Sequence, residues 1–292
     1  MKRVRFDSGV TLALAATVLF WASAFAGIRA GLDAYGPGQI ALFRFFVASA
    51  VLGVFALIRR MPLPERRDLP AVFLAGFLAF TLYHVALNYG EITVGAGSAS
   101  VLINTAPIFT ALLAVAFLGE GLRVLGWIGM AVSFFGAALI SIGESEGFGL
   151  APRAFLILVA ALSSSIYFVI QKPYLEKYGA IAFTTYAVWA GSLLSLLFLP
   201  GLIYQIPAAP ARTTLSMVYL GVFPTAIAYV TYAYAFSRMP ASRAVSFLYL
   251  IPVMAYLIAW VWLGELPTVL SVVGGCVTLC GVLIVNTIGR RR

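Results

Sequence analysis

Residues 96–120 read AGSASVLINTAPIFTALLAVAFLGE, and they decide the fold because residues 241–265 repeat them as ASRAVSFLYLIPVMAYLIAWVWLGE. The two copies are displaced by 145 residues (252 − 107), which superposes Pro107 on Pro252 and aligns the two Leu-Gly-Glu endings. Each copy holds about 20 nearly uncharged residues, enough to cross a hydrocarbon layer as a helix. Because proline cannot donate a backbone hydrogen bond, each copy predicts a membrane-spanning helix that is interrupted near its middle.

The same register continues outside the quoted stretch. At this displacement identical residues coincide at Gly76 and Gly221, Tyr89 and Tyr234, and Gly136 and Gly281. An internal repeat of this size predicts a transporter built from two related halves. We expect one transmembrane domain over residues 1–292, with repeat one at 1–146 and repeat two at 147–292.

The composition indicates a polytopic membrane protein. The chain is 62% hydrophobic and 10% charged, with a mean hydropathy of +1.02, far outside the range of soluble domains. A net charge of +9 would suggest a nucleic-acid partner in a soluble protein, but most basic residues here lie in short breaks between apolar segments, so we expect no such partner. Cys276 and Cys280 have no further ligands nearby, so we expect no metal site, disulfide framework or cofactor.

Ten apolar segments are long enough to cross about 30 Å of hydrocarbon. They cover residues 10–30, 38–58, 70–90, 98–118, 123–143, 154–174, 180–203, 215–236, 243–263 and 268–288. Short breaks rich in proline and glycine separate them. The sequence therefore predicts an all-α integral membrane protein with ten transmembrane helices and both termini on one side.

The basic residues predict on which side the termini lie. With the N-terminus in the cytoplasm, 15 of the 19 Lys and Arg residues are cytoplasmic, as the positive-inside rule requires. Each half has an odd number of spans, so the second half crosses the membrane in the opposite sense. We predict two inverted five-helix repeats around a central cavity, in a bacterial inner membrane, working by alternating access.

A few polar side chains lie within the spans. His84 is expected either to bridge two helices by a hydrogen bond or to contact a solute, and Asn104 either to contact a solute or to satisfy the backbone broken before Pro107. We expect Arg44, near the outer end of span 2, to snorkel or to form a structural pairing rather than to bind solute. No Asp or Glu lies at mid-depth, so the sequence offers no carboxylate to carry protons through the middle of the membrane.

Aromatic residues make up 14% of the chain, and several lie away from the membrane interfaces. From depth and polarity we expect these residues to bind substrate: Trp21, Tyr83, His84, Asn104, Tyr167, Tyr229 and Tyr249. In the repeat His84 pairs with Tyr229 and Asn104 with Tyr249, which predicts one polar-aromatic wall above the middle of the membrane and another below it. Pro107 and Pro252 are the expected conformational hinges. Such a cavity suits a flat, apolar or zwitterionic solute.

These features resemble the drug/metabolite transporter superfamily, EamA type. The resemblance rests on the ten-span repeat, on residues 20–23 (FWAS) and 42–45 (LFRF), and on the paired proline and Leu-Gly-Glu motifs. Within that superfamily the chain looks most similar to the YddG amino-acid exporters. The resemblance implies a basket-shaped bundle whose central cavity is lined by spans 1, 3, 4, 6, 8 and 9, and export of aromatic and other neutral amino acids, with some dyes and herbicides.

Three other classes stay open as alternatives. A multidrug or nucleotide-sugar carrier would have the same fold, and a passive channel would differ by not saturating. A membrane-embedded lipid-modifying enzyme is disfavoured, because no His/Asp/Glu cluster or metal-ligand spacing lies at either interface. We expect a non-enzymatic carrier of small-molecule solutes, namely amino acids and aromatic compounds, that sits in the lipid bilayer as a monomer or weak dimer.

Overall fold

The computed structural model describes residues 8–94, 99, 102–144, 153–263 and 268–287, which form a helical bundle. We number the helices α1 to α10 by span. Their bounds are Ser8–Leu32 (α1), Pro37–Ile58 (α2), Arg66–Glu91 (α3), Ala106–Phe117 (α4), Val124–Glu144 (α5), Ala154–Tyr178 (α6), Ala180–Leu194 continued by Leu196–Ala208 (α7), Ala211–Ser237 (α8), Ala241–Ser246 continued by Leu250–Leu263 (α9) and Val269–Thr287 (α10).

The number and kind of spans agree with the sequence. Among the described residues five helices are long and apolar enough to cross a membrane, and the two parts of α7, bent by 45°, make a sixth. Four shorter apolar helices complete the set. The prediction of an all-α membrane protein with ten transmembrane helices in two inverted five-helix repeats is confirmed. The predicted boundary at 146 and 147 lies outside the described residues, as do Ala96, Gly264 and Glu265 of the repeated stretch.

Two glycines that coincide in the repeat allow the halves to pack across each other. A Cβ atom on Gly76 in α3 would lie 2.7 Å from the backbone nitrogen of Gly191 in α7. A Cβ atom on Gly221 in α8 would lie 2.8 Å from the carbonyl oxygen of Arg44 in α2. Only a residue without a side chain permits so close an approach. Helix α3 of one half therefore packs on α7 of the other, and α8 packs on α2.

The helices α5 and α10 meet in an equally symmetric way. A Cβ atom on Gly136 would lie 2.7 Å from the carbonyl oxygen of Gly274, and one on Gly281 would lie 2.6 Å from that of Gly129. Gly129 and Gly274 are themselves related by the displacement of the repeat. A pseudo-twofold axis therefore relates the two contacts, as inverted repeats require.

Each half also contains a π-helical segment at its packing glycine: Phe77–Leu82 in α3 directly follows Gly76, and Gly221–Ile227 in α8 begins with Gly221. A π segment bonds each N–H one residue further back than an α-helix does, and some carbonyl groups then need other donors. In α8 the hydroxyl of Thr225 supplies one such bond, 2.8 Å long, to the carbonyl oxygen of Leu220. That carbonyl lies four residues before Pro224, which has no N–H to offer it.

Both copies of the repeated stretch are interrupted just before their proline. In the first copy residues 104–105 form a turn, and α4 begins at Ala106 with Pro107 in its first turn. In the second copy the 3₁₀ segment Phe247–Tyr249 separates the two parts of α9. The predicted interruptions are thus present, but their local winding differs.

Candidate functional site

A cavity of about 80 Å³ lies where the two halves meet. Its walls come from α1 to α4 and from α6, α8 and α9, so α2 joins the six spans that the family resemblance implies. Five of the seven predicted substrate-binding residues line this cavity: Trp21, Tyr83, His84, Asn104 and Tyr229. The predicted hinge Pro107 lines it as well.

A hydrogen bond and two ring contacts fix the position of the Trp21 side chain. Its Nε1 donates a hydrogen bond of 3.0 Å to the carbonyl oxygen of Pro224, in the π segment of α8. The indole packs against Tyr229 and Phe168, with ring centroids 5.2 and 6.5 Å away. Because both the polar and the apolar parts of this side chain have partners, the ring forms an ordered wall of the cavity.

His84 and Tyr229 coincide in the repeat, and their side chains meet in the cavity. Nε2 of His84 lies 3.4 Å from the hydroxyl oxygen of Tyr229, which also donates to the carbonyl oxygen of Ala79 at 3.2 Å. Nδ1 of His84 is buried and has no hydrogen-bond partner within the described ranges. The expectation of two separate walls at different depths is therefore wrong, because the pseudo-twofold axis brings these two residues to the same level.

The interruption before α4 places Asn104 and Pro107 on the cavity wall. Next to it, the hydroxyl of Ser165 in α6 donates a 2.9 Å hydrogen bond to the carbonyl oxygen of Ala106. This hydrogen bond joins α6 to the first residue of α4, directly after the interruption. The neighbouring residue Ser164 faces the cavity.

Tyr167, which we expected to bind substrate, lies behind the wall rather than in it. Its side chain is only 1% exposed, and its ring lies 6.4 Å from that of Tyr229 and 6.3 Å from that of Phe80. Tyr167 therefore supports the cavity residue Tyr229 from the core.

Tyr249 and the predicted hinge Pro252 also lie outside the cavity lining, and both are buried. Tyr249 belongs instead to a core cluster with Ala111 of α4. Leu248 and Ile251 reach the cavity in its place. The 3₁₀ segment explains this, since its side chains coincide every three residues and the tyrosine between them points elsewhere.

Arg44 is a cavity residue that the sequence analysis did not select. It lies in α2 with 2% exposure, so of the two roles we expected, snorkelling and a structural pairing, snorkelling is wrong. Its Nε donates a 2.7 Å hydrogen bond to Oγ1 of Thr225. The repeat pairs Arg44 with Trp189, so the symmetry of the fold does not require a charge here. A cation within a span that has no counterpart in the other half is the signal that would have found it.

Aromatic rings of α6 and α8 pack together between the cavity and the end of the bundle where α1 begins. The ring of Phe168 lies 4.9 Å from that of Tyr232 and 5.9 Å from that of Phe236. Further out, Nζ of Lys172 lies 4.9 Å from the centroid of Phe236 and 3.4 Å from Oε1 of Glu120. These contacts join α6, α8 and the residues after α4 toward the end where α1 begins, whereas the cavity lies toward the end where α1 finishes.

The site is equipped for noncovalent binding. Aromatic faces can stack on a flat group, and the histidine and guanidinium can donate hydrogen bonds. Within the described residues, no group of three or more His, Cys, Asp or Glu side chains could hold a metal ion.

Comparison with known proteins identifies the family. The model of the EamA-like transporter family matches residues 7–142 and again residues 152–287. An uncharacterized transporter of Bacillus subtilis, YdfC, is 48% identical over 262 residues, covering 90% of this chain and 86% of its own. A Streptantibioticus cattleyicolor protein named probable terminal-alkyne amino-acid exporter is 41% identical over 282 residues, covering 96% and 95%.

The fold is also found among solved structures. One, named only as the crystal structure of a protein, superposes with a TM-score of 0.80 over 97% of this chain and 98% of its own, at 21% identity. The paired family match and the two relatives show that the chain belongs to the EamA-like transporter family and is a multi-pass membrane transporter of a small-molecule solute.

Proposed function

We propose that this protein exports amino acids, aromatic and other neutral ones, and related metabolites across a bacterial inner membrane by alternating access. The observation that best supports this proposal is the cavity, which is lined by rings of both halves and by Arg44. Rings such as Trp21 and Tyr229 stack on a flat apolar side chain, while polar groups suit the charged ends of a zwitterion. The relative named a probable amino-acid exporter supports the same class of solute.

The contacts at one end of the bundle support alternating access. The rings and the Lys172–Glu120 pair would seal that end in this conformation, and the inverted repeats provide an equivalent arrangement for sealing the other. If both termini are cytoplasmic, as the basic residues predict, the sealed end faces the cytoplasm and the cavity faces outward. This is the state in which an exporter releases its solute.

The cavity must enlarge to hold a solute. Its volume of about 80 Å³ is well below the ~300–1,000 Å³ of typical ligand sites. We propose that α4 and α9 bend at Pro107 and Pro252, which closely follow the turn at residues 104–105 and the 3₁₀ segment Phe247–Tyr249, where the α-helical backbone is interrupted. Pro107 would move a cavity wall directly, and Pro252 would move Ile251 beside it.

The experiment is a panel of radiolabelled solutes offered to purified protein in liposomes, with protein-free liposomes as the control. We expect saturable uptake of aromatic and neutral amino acids. Uptake confined to a nucleotide sugar or a lipophilic dye would overturn the amino-acid assignment. Flux that rises linearly with solute concentration would instead indicate a passive channel.

A further inference from the structure

Arg44 places a fixed positive charge on the wall of an otherwise aromatic and aliphatic cavity. Among the described lining residues it alone carries a permanent charge, and it is 2% exposed. Charged side chains within membrane spans are costly, and they occur mainly where they pair with another group or bind a solute.

Arg44 forms no ion pair within 4 Å in the described part of the chain. The four ion pairs found there are formed by other residues. Of the guanidinium nitrogens only Nε has a protein acceptor, the hydroxyl of Thr225, and the described residues offer none to the two terminal nitrogens. Glu91 in α3 is buried and attracts Arg44 electrostatically, but it forms no ion pair with it, and neither of its carboxylate oxygens has a hydrogen-bond partner in the described residues.

We propose that the two terminal nitrogens of Arg44 bind the carboxylate of the transported solute. A guanidinium is planar and presents parallel N–H donors that match the two oxygens of a carboxylate. The rings of Trp21 and Tyr83 line the same cavity and receive the flat part of the solute. This inference rests on the proposed function and deepens it, because it makes the carboxylate the group by which the site selects its substrates.

The guanidinium is oriented before the solute arrives. Thr225 accepts from Nε at 2.7 Å and is itself anchored by its 2.8 Å bond to the carbonyl oxygen of Leu220. Gly221 lets α8 approach the backbone of Arg44 closely enough for this contact. Preorganisation of this kind reduces the entropy lost on binding. Thr225 is therefore a positioning residue, and Arg44 is the binding residue.

The first test uses the unmodified protein in liposomes. Uptake of radiolabelled tryptophan is measured in competition with unlabelled tryptophan, tryptophanamide or tryptamine. The amide and the amine share the ring of tryptophan and lack its carboxylate. We expect the amide and the amine to compete about tenfold more weakly or worse, because hydrogen bonds to charged groups are the stronger ones. Equal competition by all three overturns the inference and leaves the proposed function standing. If no amino acid is taken up and a phosphate-bearing solute is, both are overturned.

The second test asks whether Arg44 is the source of that discrimination. The measured quantity is the ratio between the competing strengths of tryptophan and tryptophanamide. In R44Q the acid and the amide should compete equally well. In R44K, which keeps the charge without the planar guanidinium, the ratio should be intermediate. T225V should lower the ratio less than R44Q does. R66Q, which removes an exposed arginine at the start of α3, is the matched control and should keep the native ratio. Monodisperse R44Q with the native ratio overturns the assignment; if R44Q does not fold, the analogue series on the native protein decides.

Discussion

His84 in α3 and Tyr229 in α8 occupy equivalent positions of the two halves, and Nε2 of the first lies 3.4 Å from the hydroxyl of the second. The pseudo-twofold axis of the bundle therefore passes through the wall of the cavity. A solute bound at this point contacts both halves at once. A movement of one half against the other then changes its surroundings, as alternating access requires.

The cavity rings can be tested by alanine substitution. Trp21→Ala, Tyr83→Ala and Tyr229→Ala should each weaken apparent affinity roughly two- to tenfold, because a stacked aromatic pair contributes about 0.5–1.5 kcal/mol and about 1.4 kcal/mol is one decade. The measurement is solute competition with purified, monodisperse protein.

Tyr204→Ala is the matched control for these variants. This tyrosine is 81% exposed in α7 and should leave affinity unchanged; Trp260, an obvious second choice, has its side chain outside the described residues. Equal affinity in all four variants would place the solute elsewhere. Loss of monodispersity in the three cavity variants would show that these rings stabilise the core.

Glu120 ends the first repeated stretch, and its carboxylate accepts hydrogen bonds from the first residues of the second. Oε1 lies 2.7 Å from the backbone nitrogen of Ala241, and Oε2 lies 3.1 Å from that of Ser242. We expect Glu120→Gln to lower the unfolding free energy by about 1–3 kcal/mol, because it removes the charge from a helix cap. Thermal denaturation of the purified protein measures this.

Glu65→Gln provides the comparison for that prediction. Glu65 lies before α3, and hydrogen bonds from Lys177 and Arg67 hold the pKa of its carboxyl below the ordinary value. Its side chain is about half exposed, so solvent screens these contacts and the melting temperature should hardly change. An equal shift in both variants would mean that Glu120 acts only through surface charge.

The predicted orientation can be read by cysteine labelling. In a background lacking Cys276 and Cys280, which are exposed, Ala209→Cys between α7 and α8 should react with an impermeant reagent in intact cells. Pro64→Cys between α2 and α3 should react only after permeabilisation. The reverse pattern would place the termini outside. Gly95 and Ser145, predicted to lie outside, are beyond the described residues.

Transport down a solute gradient should proceed without an imposed pH gradient. The described residues that line the cavity include no carboxylate, and His84 is the lining residue whose side chain ordinarily titrates near neutrality. Liposome uptake is compared at equal pH on both sides and with a gradient. Uptake that is absent until the gradient is applied, and that loses this dependence in His84→Gln, would contradict the prediction and make His84 the proton site.

The sequence by itself determined the class, the ten spans and the repeat. In lipid each backbone group must find its partner within its own helix, so the spans are local features that composition reveals. The 145-residue displacement also aligns glycines such as Gly76 and Gly221, and the structure then showed that both pack closely against the other half. Depth and polarity were enough to select Trp21, His84 and Tyr229, since buried polar side chains in lipid face the interior of the bundle.

Only the tertiary structure decided which faces of the helices meet. Short π and 3₁₀ segments rotate the following residues, so Tyr249 turned into the core although its repeat partner Asn104 lines the cavity. The role of Arg44 depended on Thr225, 181 residues away, which holds its side chain at the cavity. The direct contact of His84 with Tyr229 likewise arises from the packing of the two halves. A sequence pattern gives the spacing of residues along a helix, and it does not give the distance between two helices.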